Sequence, residues 1–186
     1  VGGGAFHGMR FQDVSAGSTV DLSYLDVTAP YANAIYVWNT AASAFSVRHS
    51  VLAATYVGTG VSGVHANVAT TGSAFAFENV TATAEKGISA TDFDACTVSI
   101  SDSTLTATDT AGVHFDTLTG GCVVSLTGNT VVAETLPLKL QPVTDSFVTV
   151  TGGSYTAVTA VVGTGVGLYL ATVSNTAVVI SGTTFV

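Results

Sequence analysis

A polar or aromatic residue stands between two apolar ones in seven triplets spread along this chain: Met9-Arg10-Phe11, Ile35-Tyr36-Val37, Val64-His65-Ala66, Ile88-Ser89-Ala90, Val113-His114-Phe115, Leu138-Lys139-Leu140 and Leu168-Tyr169-Leu170. Alternation of this kind belongs to a strand, with the middle residue facing away from its neighbours. Arg10, Tyr36, His65, His114, Lys139 and Tyr169 thereby gather two of the four basic residues and two of the four histidines in one repeat position. Aromatic faces pack on sugar rings and cations hold carboxylates, so the chemistry this column offers is a shallow groove for an acidic or sugar ligand. The bland reading is an exposed strand position that simply accepts Tyr and other large side chains.

The remaining candidates are weaker. Glycoside hydrolysis needs two carboxylates at a fixed separation, and lyase chemistry needs a base with charge neutralisation of a uronate. The twelve acids scatter through the repeat frame, and the nearest approach to a pair is Asp92 with Asp116 on neighbouring coils. No catalytic residue, metal ligand set or cofactor is assigned. Cys96 and Cys122 share a repeat position with inward parity, so they stack in adjacent coils. A coil spacing of ~4.8 Å lies within the Cα range a disulfide permits, and either a Cys96–Cys122 bridge or two buried thiols satisfies the pattern. Asn79-Val80-Thr81 is an N-glycosylation sequon placed at an exposed corner.

Only 9% of the 186 residues are charged, against 47% hydrophobic, and the net charge is -8. That combination excludes long disordered segments, and the absence of a basic footprint argues against nucleic acid as a partner. From Ser146 to Val186 there is no charged residue, but Ser, Thr and Gly interrupt the run Ser154–Val173 every few residues, which argues for strands and against a membrane span.

An internal repeat organises the whole chain. Alternating apolar pairs mark a first strand: Val20 and Leu22, Phe45 and Val47, Phe75 and Phe77, Val98 and Ile100, Val124 and Leu126, Val148 and Val150, Val178 and Ile180. Five residues later comes a second strand, at Val27, Leu52, Ala82, Leu105, Val131, Tyr155 and Phe185, and the triplets above form a third. Residues that tolerate left-handed backbone, among them Asn79, Asp102, Gly128 and Gly182, stand between the first and second strands. Such units bury their inward faces only by stacking, so the sequence predicts an all-β, right-handed parallel β-helix, a β-solenoid. It has about seven coils of 23–30 residues with three short strands per coil, residues 1–186 forming a single domain. The repeat shows no cap at either end, so the expectation is a fragment of a longer solenoid.

The motif of alternating strand, Gly/Asn/Asp corner and second strand, as in VVISGTTF and VSISDSTLTAT, resembles the parallel β-helix repeats of the pectate-lyase-like superfamily. That resemblance implies the architecture and leaves function open among polysaccharide lyases, glycosidases, tailspikes, adhesins and repetitive surface proteins. The leading expectation is a non-catalytic structural or adhesive module, extracellular or on a cell surface, whose partners are neighbouring solenoid segments or protein subunits. A polysaccharide-active or carbohydrate-binding β-helix is the alternative. Ice binding is a third, resting on the hydroxyl-rich outward face of the first strand: Thr97, Ser99, Ser101, Ser125, Thr127, Thr149 and Thr151.

Overall fold

The computed structural model describes residues 7–56, 60–158 and 165–186, and its regular elements there are all β-strands. The strands pair in parallel into two sheets, of nine and twelve strands, wound as a β-solenoid of about six turns. The third strand of successive coils makes seven rungs, running Met9–Val14, Ile35–Ala41, Ser62–Thr70, Lys86–Asp94, Ala111–Thr119, Leu136–Leu140 and Leu168–Leu170. Among the described residues no helix is long and apolar enough to cross a membrane, and residues 159–164 of the uncharged run lie outside them.

The register follows the repeat residue by residue. Leu22, Val47, Phe77, Ile100, Leu126, Val150 and Ile180 pair in one unbroken column, as do Val27, Leu52, Ala82, Leu105, Val131, Tyr155 and Phe185. A one-residue slip would turn every apolar residue outward, so burial fixes this register. The inward columns merge into one continuous core.

Three strand segments per coil describe several rungs, while two rungs fuse the first and second strands into single strands, Ala44–Ala54 and Ala74–Ala84. Fusion is possible because this corner is one left-handed residue, filled in turn by Tyr24, His49, Asn79, Asp102, Gly128, Gly152 and Gly182, with φ between 49° and 65°. Where the residue that follows is Ser, Asn or Thr, its side chain satisfies backbone groups the bend leaves free. Ser50 Oγ accepts from Leu25 N and donates to the Arg48 carbonyl, and Ser103 Oγ likewise accepts from Val80 N and donates to the Ser101 carbonyl. Asn129 does the same work with two atoms, as Oδ1 accepts from Ser103 N and Nδ2 donates to the Ile100 carbonyl.

At another corner, where the third strand gives way to the next first strand, Ser18, Ser43, Ser73, Cys96, Cys122, Ser146 and Thr176 share one position, and the carbonyls of the first six each accept from the backbone of the next rung. Thr176 Oγ1 accepts from Ser146 N and donates to the Ser174 carbonyl; Cys122 Sγ accepts from Cys96 N at 3.3 Å, and Cys96 Sγ donates to the Asp94 carbonyl. The cysteines therefore act as hydroxyl stand-ins. Cys122→Ser keeps the ladder and is expected to change stability by less than about 1 kcal/mol, whereas Cys122→Val leaves Cys96 N unpartnered and costs about 2 kcal/mol. Urea denaturation of the two variants checks this.

A third device is a column at the start of the third strand, directly before its apolar triplet: Gly8, Ala34, Gly63, Gly87, Gly112, Pro137 and Gly167. Here the third strand passes so close to the second that a Cβ on Gly63 would stand 2.8 Å from Ala82 Cβ, and one on Gly167 2.8 Å from Phe185 Cβ. The glycines set how tightly the two sheets meet.

Candidate functional site

The column of outward third-strand residues is continuous. Arg10 pairs with Tyr36, Tyr36 with His65, His65 with Ser89, Ser89 with His114, His114 with Lys139, and Lys139 with Tyr169. Neighbours in register interact directly, the sheet's basic unit of side-chain contact. His65 stacks on Tyr36 with centroids 5.5 Å apart and planes within 6°, and the Arg10 guanidinium lies 5.9 Å from the Tyr36 ring centre. His7, which the triplet pattern does not include, stacks on Tyr36 at 4.5 Å.

Beside this stack the surface dips into a cleft of about 270 Å³, lined by His7, Tyr31, Asn33, Tyr36, Gly60, Val61 and His65 with Ala32 at its floor. Its walls are held from below. Asn33 Oδ1 accepts from Ser62 N at 2.6 Å, while the buried Glu85 carboxylate accepts from the Gly60 and Val61 amides. Tyr31 and Tyr56 extend the aromatic surface, with ring centres 6.5 Å apart. Aromatic rings beside polar side chains in one cleft suit a ligand with apolar faces and hydroxyl edges.

Further along the column the character changes from aromatic to cationic. His114 is 9% exposed, and neither of its ring nitrogens has a hydrogen-bond partner. Burial, then the charges of Lys139 and Lys86, lower its pKa to about 4; burial and Lys86 do the same to His65. Both rings are neutral at pH 7. Because their folded pKa values lie below the unfolded value of about 6.5, the unfolded chain takes up protons first as pH falls. Their contribution to stability is complete above pH 6.5 and is lost as pH drops toward 4. The denaturant midpoint should fall between pH 7 and pH 4.5, and His114→Phe should flatten that dependence.

Lys86, absent from the triplet column, stands at the start of its strand in register with Ser62. A Cβ on Gly60 would lie 3.4 Å from its Nζ, so the ammonium reaches the rim of the aromatic cleft. Sequence reasoning missed it because it precedes the Ile88-Ser89-Ala90 triplet.

The other expected sites fall as follows. Asp116 pairs with Thr91, which leaves Asp92 one position further on, at a left-handed bend with φ 56°; the two carboxylates occupy different columns. Cys96 and Cys122 are buried free thiols, and their mutual hydrogen bond, with burial, raises the Cys96 pKa. Asn79 is exposed at its corner, where Nδ2 donates to His49 Nδ1 at 2.9 Å. On the first strand, Ser101, Thr127, Thr151 and Ser181 form one outward ladder, and Ser99, Ser125, Thr149 and Val179 another. A third column on the same face runs Thr97, Val123, Phe147 and Ala177, with Val123 45% and Phe147 43% exposed.

Protein-family models, curated proteins and solved structures compared with this chain gave no match. What defines its class is the fold itself, a parallel β-solenoid.

Proposed function

We propose that this chain is a non-catalytic structural or adhesive β-solenoid module of an extracellular or cell-surface protein, working through lateral contact with a second solenoid segment of its own kind. The observation that carries this is the first-strand face of the last four rungs. It is three columns wide, has no charge, and exposes Val123, Phe147 and Val179 among Ser and Thr. Exposed apolar residues in one patch mark contact surfaces. A molecule of net charge -8 repels its copies, and an uncharged ladder face lets two of them meet. The charges that do occur on this sheet lie at its other end, where Arg48 pairs with Asp21 at 3.6 Å and Glu78 at 3.7 Å. In sedimentation experiments the protein should self-associate with rising concentration, and Phe147→Glu with Val179→Glu should raise the dissociation constant at least about tenfold. An unchanged constant in the double variant rejects the reading.

A second reading, carbohydrate binding, is favoured by the His7–Tyr36–His65 stack and its cleft. Cellotetraose that shifts the Tyr36 ring resonances supports it, and silence at millimolar sugar removes it.

A further inference from the structure

We propose that the outward face of the second strand is an ice-binding surface, whose ligand is the ordered water of a growing ice lattice. This face is separate from the first-strand face assigned to lateral contact, and the inference does not depend on that reading.

The first observation is a two-dimensional array. Thr81, Thr104, Thr130, Ser154 and Thr184 pair in register as one outward column, and Thr83, Thr106, Val132 and Thr156 form a second beside it. Seven of these nine positions are Thr and none is charged, in a chain of net charge -8. The array ends at Val51 and then Asp26, the first charge in its column. Positions repeat every ~4.8 Å along the stack and every ~6.7 Å along the strand, the rise of two residues. That rectangle is close to the one oxygens make on a prism face of ice. The first-strand face has the same spacing, but Val123 and Phe147 interrupt its hydroxyls.

The second is that the array's hydroxyls are unengaged. Among the described residues, none of its eight hydroxyl groups bonds to another group of the chain, whereas on the first strand Ser46 Oγ donates to Asp21, Thr149 Oγ1 to the Val124 carbonyl and Ser181 Oγ to Thr151. Each is left with one donor and two acceptor sites for water. The third is rigidity. Threonine is stiff at χ1, and the residues between the two columns, Ala82, Leu105, Val131 and Tyr155, are fully buried. An array fixed in advance loses little freedom when it binds. Its methyl groups restrict the orientation of first-shell water, and its hydroxyls anchor that layer. A charged side chain would instead orient water around itself, against the lattice.

Nanolitre osmometry on the full chain tests this. The protein should show thermal hysteresis with faceted ice crystals, and Thr104→Tyr with Thr130→Tyr, which raises two rings from the middle of the array, should abolish both. Thr106→Lys, a single exchange in the second column, should do the same and carries the test if the double variant fails to fold. Phe147→Glu should retain the hysteresis of the native chain. A native protein without hysteresis overturns the proposal. So does hysteresis that survives the array substitutions in a folded variant, and so does its loss in Phe147→Glu alone, which would move ice contact to the first strand.

Discussion

Gly112→Ala should lower the melting temperature by about 10 °C, corresponding to about 3 kcal/mol for a chain of this size. Its backbone is not in the left-handed region, so the cause is space alone. A Cβ there would collide with Val131 Cγ1 and stand 2.9 Å from the Pro137 carbonyl oxygen. Val131 is fully buried and locked in register between Leu105 and Tyr155, and Pro137 is backbone of the next rung, so neither yields cheaply. Shortening the obstacle gives the control. In a Val131→Ala background the same glycine replacement should cost at least about 1 kcal/mol less, a coupling expected of side chains in contact. Equal costs in both backgrounds would mean that the close approach of the two sheets is not what the glycine serves.

Asn129→Ala should cost about 3 kcal/mol in chemical denaturation. The side chain is fully buried, with Oδ1 3.0 Å from Ser103 N and Nδ2 2.8 Å from the Ile100 carbonyl. Alanine strips a partner from two buried backbone groups, each worth about 1–3 kcal/mol when left unpaired. Asn129→Ser should recover most of the loss, because Ser50 and Ser103 already hold the same column by accepting from the preceding rung and donating to the carbonyl two residues back. If serine is as damaging as alanine, the corner depends on the shape of Asn129 and not on its hydrogen bonds.

The low charge content fits the same stacking logic. Each residue has an equivalent about 4.8 Å above and below, so like charges in register repel while Ser, Thr, Val and Ala columns do not. Where charges stack they alternate, as Arg48 does over Glu78. Period-two alternation made the strand columns, the outward third-strand column among them, legible from sequence, since a single inward residue per pleat is all the register needs. The glycine column was harder to see, although it sits at one place, directly before Met9, Val64, Ile88, Val113 and Leu168. A glycine there reads like any turn glycine until the second strand, about twenty residues away, is packed against it. The role of the cysteines was readable in principle, because Ser43, Ser73 and Ser146 precede their first strands as Cys96 and Cys122 do. The tie between Lys86 and the cleft was not, since it depends on where the segment holding Gly60 folds back.

The proposed function turns on which face of the solenoid meets its neighbour. Val179→Cys places a thiol on the uncharged face, at a position 48% exposed, while Thr83→Cys places one at an exposed position on the second strand; the native thiols are buried. Under mild oxidation at a concentration where the protein associates, Val179→Cys should yield covalent dimers and Thr83→Cys should remain monomeric. Dimers from Thr83→Cys alone, or from both variants equally, would contradict lateral contact through the uncharged face.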